Sequence, residues 1–505
     1  MTGKRRLGAT VGLGMGLALA MALVALARQA APGAPSPAPA ANTHTAPPPT
    51  SVSITNDEPI SAATVTSRTF AVHAMQSGLV TGVHAVVGGG NTIVVTPAGA
   101  FHAGELIYAT ATTATLGTSG APPTSPTVWQ FTLATQGKGR GWIPQPVSPA
   151  GAWGRRIALG DVDGDRDVDA VVPNYAGHTA VYLNDGNGHV SAHPISPTFG
   201  PDLANAVALG DVDGDGDLDA VLAFHSEPQR VYLNDGTGRF CAHPISPTFA
   251  AGFSTDITLG DMDGDGDLDA VVANTGNEPQ DVYLNDGSGG FSAHPVSPTF
   301  GAGSSFGVAL GDLNGDGSLD AVVANYNNEP RQVYVNDGTG RLAPHPTAPT
   351  LAGYNYSYDV ALGDVDGDGD LDAVAANAYA NLPQEVYLND GSGQFTAHPI
   401  SPTFGAGDSR AIALGDLDGD GDLDAAVANY NGETQAVFLN DGSGGFAGSA
   451  GFGAGDSFDI VLGDLNSDGD LDAAVSNFEA AGALTVWLHE DWRVYLPLVL
   501  SQAGD

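Results

Sequence analysis

The chain has 505 residues, with 57 acids against 16 Lys and Arg, a formal net charge of −41 and one cysteine. So acidic a surface repels phosphate backbones and anionic lipid headgroups, which excludes nucleic acid as a partner, and a lone Cys241 excludes an internal disulfide framework. Gly at 70 and Pro at 33 favour short strands and turns, an all-β chain of two or three folded units.

Lys4, Arg5 and Arg6 precede an apolar run over 11–27 that closes on Ala25-Leu26-Ala27, the pattern of a secretory signal spanning 1–27. Cleavage after Ala27 is expected, with retention as an anchor the alternative, and no later segment reads as a bilayer span. The chain is therefore expected to be secreted or held at the cell surface. Residues 28–50, rich in Ala, Pro, Ser and Thr, predict a disordered tether.

Residues 51–135 carry β-branched runs at 64–72, 92–96, 106–112 and 128–133, the spacing of a small β-sandwich. Val95-Thr96-Pro97, Glu105-Leu106-Ile107-Tyr108 and Trp129-Gln130-Phe131-Thr132 resemble the bacterial Ig-like domains of surface-layer and cell-wall proteins. The resemblance implies a spacer or stalk.

From residue 141 onward one phrase returns seven times, beginning at Asp161, Asp211, Asp261, Asp312, Asp364, Asp416 and Asp464, at intervals of 48 to 52 residues. That period is the size of a propeller blade, so a seven-bladed β-propeller is predicted over 141–500. The second repeat reads as four strands at 206–210, 218–223, 230–234 and 240–245, with Asn234-Asp235-Gly236 as a hairpin turn. The last blade has two candidate closing strands. One is 141–149, a copy of 291–298; the other is 492–500.

Within the second phrase, Asp211 to Asp219, carboxylates stand at positions one, three, five and nine, with Gly216 at position six. A tight loop of that kind gathers hard oxygen ligands suited to Ca²⁺, whereas Mg²⁺ asks for stricter octahedral geometry and zinc for His or Cys. An EF-hand is excluded, because its twelfth position would be Leu222 instead of Glu.

The phrase, followed by an apolar strand and by the pattern seen from Val282 to Phe291, resembles the FG-GAP repeat of integrin α-subunit propellers and the VCBS-type repeats of secreted bacterial proteins. The resemblance implies up to seven Ca²⁺ ions held in the blade hairpins. Carried over by position, the ligands are Asp161, Asp163, Asp165 and Asp169; Asp211, Asp213, Asp215 and Asp219; Asp261, Asp263, Asp265 and Asp269; and Asp312, Asn314, Asp316 and Asp320. The last three loops supply Asp364, Asp366, Asp368 and Asp372; Asp416, Asp418, Asp420 and Asp424; and Asp464, Asn466, Asp468 and Asp472. Arg166 replaces Gly at position six of the first loop, which threatens its turn.

Cys241 is expected to be a buried strand residue, and the recurrent His193, His243, His294, His345 and His398 to be blade architecture. The end of the ring opposite the acidic loops varies most between repeats. It offers Tyr175, His225, Thr275, Tyr326, Tyr379, Tyr430, Phe478, Tyr354, Tyr356 and Tyr358, either as packing or as a sugar- or protein-binding face.

The expected function is a secreted calcium-binding adhesion or recognition module with an extracellular protein or glycan ligand, and not an enzyme. The alternatives are a polysaccharide lyase or hydrolase working in the central funnel, or a purely structural surface protein. An enzyme would require nonrepeating His, Tyr, Arg or acidic residues converging on the channel.

Overall fold

The computed structural model describes most of residues 35–490; residues 1–34, 137–140, 148–152, 491–505 and scattered loop positions lie outside the described residues, and with them the predicted signal, Tyr354 and the 492–500 segment. Among the described residues the chain is all-β, with only two three-residue 3₁₀ turns, Ala62–Thr64 and Gly88–Gly90. No described helix is long and apolar enough to cross a membrane.

The N-terminal part forms two four-stranded antiparallel sheets. One runs Ser36–Ala38, Val52–Thr55, Thr92–Pro97 and Gly82–Val87; the other runs Gly78–Leu79, Phe70–Ala74, Leu106–Ala111 and Thr127–Thr132. Alternate residues of each point inward, so Val52, Ile54, Ile93 and Val95 share one core with Phe70, Val72, Ile107, Trp129 and Phe131.

Two expectations change here. Part of the predicted tether is ordered: Ser36–Ala38 is an edge strand, where Pro37 costs no ladder bond, and the Ala46 N–H donates to Thr132 O at 3.3 Å. The run at 64–72 is not one strand, because Thr69 Oγ1 donates to Thr64 O at 2.6 Å and accepts from Thr66 N at 2.8 Å. These local bonds hold a turn ahead of Phe70.

The repeats form seven antiparallel sheets, each with its phrase as the loop between the first and second strands. In the second sheet the strands are Ala204–Gly210, Asp219–Phe224, Gln229–Asn234 and Phe240–Ala242. A short fifth strand, Thr248–Phe249, pairs with the far end of the third. The fourth edge breaks after Ala242, where Pro244 has no N–H to continue the ladder. Cys241 lies exposed on this outer edge while Phe240 turns inward, so the expectation of a buried thiol is corrected.

Each second strand is buried along its whole length, and its two faces serve different neighbours. Ala220 and Leu222 pack with Val171 and Val181 of the first sheet, whereas Val221 and Ala223 pack with Ile257, Ala270 and Val272 of the third. Glycine at the end of the first strand permits this approach. A Cβ on Gly311 would stand 2.5 Å from Leu371 Cδ1 of the next sheet, and one on Gly363 would stand 2.6 Å from Leu423 Cδ1.

Polar staples repeat along the same seams. Asn285 Nδ2 donates to Val212 O and Asn336 Nδ2 to Met262 O, each at 2.8 Å. His243 Nε2 lies 2.9 Å from Ser288 O and His398 Nε2 lies 2.8 Å from Ser443 O, one sheet on. The recurrent histidines therefore sit in the seams as architecture.

The seventh sheet meets the first. Asn184 Nδ2 donates to Leu465 O at 2.7 Å, and Gly463 faces Leu159. The outer strand of the seventh sheet is Gly141–Gln145, paired with Leu484–Glu490, and Trp142 stacks on Phe452 at 4.2 Å. Of the two candidate closing strands, the N-terminal one pairs.

Gly311→Ala is expected to lower unfolding stability by about 1–3 kcal/mol, because the packed seam has no room for a methyl group. Urea titration reads this, and Leu371→Ala in the same chain should recover part of the loss.

Candidate metal loops and the two ends of the ring

The acidic loops are built by side chains folding back on their own backbone. In the second loop Asp211 accepts from Gly214 N at 2.7 Å and Gly216 N at 2.9 Å, and Asp215 accepts from Asp217 N at 2.9 Å. Gly214 and Gly216 take φ of +79° and +104°, which glycine adopts without strain. In the first loop Arg166 holds the same turn at φ +76°, with its N–H on Asp161 at 2.9 Å. The expected threat to that turn is thus absorbed as backbone strain of about 1–2 kcal/mol.

Position nine is different in kind. Asp169, Asp219, Asp269, Asp320, Asp372, Asp424 and Asp472 are all fully buried. Each carboxylate takes two backbone N–H bonds; Asp269 accepts from Met262 N and Asn285 N, both at 2.8 Å. It thereby ties the loop to the third strand. Burial first, then neighbouring carboxylates, pushes Asp169, Asp219, Asp320 and Asp472 up to about 8 and Asp424 to about 7, and holds Asp269 and Asp372 well above the usual range.

Positions one, three and nine converge within 4.8 Å as Asp161, Asp163 and Asp169; Asp211, Asp213 and Asp219; Asp364, Asp366 and Asp372; and Asp416, Asp418 and Asp424. In the third loop the group is Asp261, Asp263 and Asp265. The position-five carboxylates of the other loops, Asp165, Asp215, Asp316, Asp368, Asp420 and Asp468, each accept the position-seven N–H at 2.9–3.0 Å. In the fourth loop, with Asp312 at its head, Asn314 Nδ2 donates to Asp320 at 3.0 Å. In the seventh, headed by Asp464, Asn466 Nδ2 donates to Asp468 at 3.1 Å. Crowded carboxylates without His or Cys fit a hard divalent cation, whose charge would relieve their mutual repulsion.

The sequence profile described as FG-GAP-like repeat matches residues 161–222, 211–272, 261–323, 312–375, 364–427 and 416–475. The chain belongs to the FG-GAP-like repeat family. A bacterial Ig-like domain profile matches residues 28–133 ahead of the FG-GAP repeats. No curated protein matches the chain. Among solved structures, the lectin BP39L from Burkholderia pseudomallei is 18% identical with a TM-score of 0.50, covering 67% of this chain and 96% of its own. A lectin from Agrocybe aegerita is also 18% identical, with a TM-score of 0.43 over 82% of this chain and 97% of its own. The repeated antiparallel sheets and the likeness to BP39L make the fold propeller-like.

The N-terminal unit sits on the FG-GAP loops. Five position-six carbonyls face donors from it: Gly266 O meets His73 Nε2 at 2.9 Å, Gly317 O accepts from Val128 N at 2.9 Å, and Gly369 O accepts from Asn42 Nδ2 at 3.2 Å. Gly421 O meets His44 Nε2 at 2.7 Å and Gly469 O accepts from Gln136 N at 2.8 Å. Gln76 O accepts from Asp161 N at 2.8 Å. Glu105, fully buried, takes Gln76 N, His102 N and the Ser77 hydroxyl and fixes that hairpin.

Behind Met75 and Gln76 lies an axial cavity of about 420 Å³, with Arg156 among the residues lining it. Arg156 donates to Asp359 Oδ1 at 3.0 Å and to the Phe306 and Tyr358 carbonyls at 2.9 Å, and lies 3.5 Å from Asp256. Asp256, Asp359 and Asp459 in turn accept Val308 N, Ile412 N and Ile157 N. Nonrepeating Arg and Asp side chains do converge on the axis, which the sequence reading missed. The signal was present as Ser-x-Asp in the third, fifth and seventh first strands, at Asp256, Asp359 and Asp459. Every one of these groups is engaged in bracing inner strands against one another.

The mouth opposite the FG-GAP loops is lined at a single register by Arg155, Asn205, Thr255, Phe306, Tyr358 and Phe458, and Arg410 holds that register in the sixth sheet, 4.1 Å over the Tyr358 ring. From the second sheet to the seventh this position is the bulge in the first strand, where pairing skips a residue. Bulges re-aim side chains. Phe306, Tyr326, Tyr356, Tyr358 and Tyr379 form one aromatic cluster, and Trp153, Tyr175 and Phe478 another. Arg410 lies 4.6 Å over Tyr430, and His225 and Thr275 line the mouth cavity.

Asp213→Ala is expected to remove one ion's worth of calcium uptake with little change in metal-free stability. Asp219→Ala, which strands the Val212 and Asn234 N–H groups, should cost about 2 kcal/mol or more with or without metal. Calorimetric unfolding in chelator and in millimolar calcium, with metal counting, separates the two. Calcium should also slow hydrogen exchange at the Val128 and Gln136 amides, which end on loop carbonyls; unchanged exchange there would mean that docking is independent of the metal.

Proposed function

We propose that this chain is a secreted, calcium-stabilised recognition module and not an enzyme. The seven sheets are read as the blades of a closed β-propeller, and the N-terminal unit as an Ig-like β-sandwich resting on its metal-loop end. An extracellular glycan or protein binds at the opposite mouth. The observation that carries this reading is the bulge register: in a chain whose loops, seams and staples repeat, the side chains presented round that mouth at one position are Arg, Asn, Thr, Phe and Tyr.

Several features support it. Trp153 and Tyr379 hold bulky rings at φ +66° and +99°, and Tyr379 is 57% exposed. Backbone strain of this kind is kept where a side chain must be presented. Flat exposed rings suit stacking on sugars, and rigid aromatics suit protein hot spots. FG-GAP repeats and lectin-like propeller neighbours agree with a recognition role at the level of the fold. The enzyme alternative would draw on Arg156, Asp256, Asp359 and Asp459, whose polar atoms are already spent on neighbouring strands.

A glycan array probed with the calcium-loaded full chain tests the reading. Binding to a defined glycan set that Tyr358→Ala or Tyr379→Ala weakens about ten-fold is expected, since an anchoring aromatic is worth over 1 kcal/mol. Binding untouched by either change would move the site away from the mouth.

A further inference from the structure

We propose that Arg155 anchors the carboxylate of an acidic, uronic-type sugar at the ring mouth; this rests on the recognition reading above and names the ligand class. Arg155 lines a cavity of about 240 Å³ together with Tyr175, His225, Phe306, Tyr358 and Phe458. Its guanidinium lies 4.5 Å from the Tyr175 and Phe458 ring centres and 5.1 Å from that of Phe478. Three aromatic rings therefore pack against the cation.

Among the described residues no carboxylate pairs with Arg155, and its Nε is buried without a hydrogen bond. The neighbouring cations are different: Arg156 is held by Asp256 and Asp359, and Arg410 lies 3.3 Å from Asp408. In a chain of 57 acids and 16 Lys and Arg, a half-buried arginine without an acid is a specific arrangement. Aromatic faces compensate part of its desolvation, and a bidentate carboxylate would complete it.

The cavity is below the roughly 300–1,000 Å³ that takes a drug-sized ligand, and so suits a single sugar ring. Tyr175 and Phe458 are taken up by the cation, and Phe306, which lines the same cavity, is the ring a pyranose can pack against while its carboxylate meets Arg155. The net charge of −41 opposes a long polyanion, which favours an isolated acid sugar, such as a chain end, over an extended acidic polymer.

Titrating the calcium-loaded full chain with galacturonate, glucuronate, their methyl esters, galactose and N-acetylglycylglycine, by ligand-observed NMR or calorimetry, tests this. At least one free acid sugar should bind about ten-fold or more tightly than its ester and than galactose, the margin a charged hydrogen-bonded pair supplies. Arg155→Gln should abolish that margin while leaving melting temperature and calcium content unchanged, and Arg155→Lys should keep part of it. Esters and galactose binding as well as the acids would overturn the carboxylate anchor and leave the recognition reading standing. N-acetylglycylglycine binding as tightly as the acid sugars would overturn the sugar class. Failure of both acids, while the array still gives neutral glycans, sinks this inference alone; failure of the probes and the array together sinks both readings.

Discussion

A sheet that is apolar on both faces can be stable only between two neighbours, and the repeat region is organised by that constraint. Even and odd residues of each second strand are committed to different sheets, so adding sheets does not end the problem until the last meets the first. The small residues follow from it. Gly210, Gly260, Gly311, Gly363 and Gly415 each stand where the next sheet's leucine would strike a Cβ. The Asn and His staples tie the same seams with hydrogen bonds, so packing and polar satisfaction specify one arrangement.

Closing the sheets on one another brings their loops to one end, and with them most of the negative charge. Two different uses of aspartate coexist there. The buried position-nine carboxylates brace the loop against the third strand through two backbone N–H groups, and position-one carboxylates such as Asp211 shape the turn through its own N–H groups, while in four loops both converge with position three in a cluster that fits a cation. Among the described residues no salt bridge joins the N-terminal unit to this end. It addresses mainly backbone carbonyls, with neutral donors such as Asn42, His73 and the Val128 amide, and Thr110 bonds the Asp261 carboxylate. His73 is held neutral by its burial, which suits that role.

With Met75 and Gln76 at one end, the centre of the ring holds a cavity of about 420 Å³ that Arg156 crosses to brace neighbouring strands. The opposite mouth is a separate concavity with varied chemistry. Its residues come from seven separate sheets at one bulged register, so the scaffold is rigid while the surface it displays is free to differ at each position.

The sequence by itself determined the period, the acidic phrase, the all-β class and the end of the ring at which variation collects, because each is a local pattern repeated at fixed spacing. It also marked the recurrent histidines as architecture. The closing strand, the depth of Cys241, the order in residues 36–46, and the meeting of Arg156 with Asp256, Asp359 and Asp459 were decided only by tertiary structure. Those outcomes depend on which segments become neighbours in the fold: Arg156 meets Phe306, 150 residues away, and Asp459 meets Ile157, 302 residues away. A lone arginine such as Arg155 reads as one more surface charge until the fold packs aromatic rings against it and pairs no acid with it.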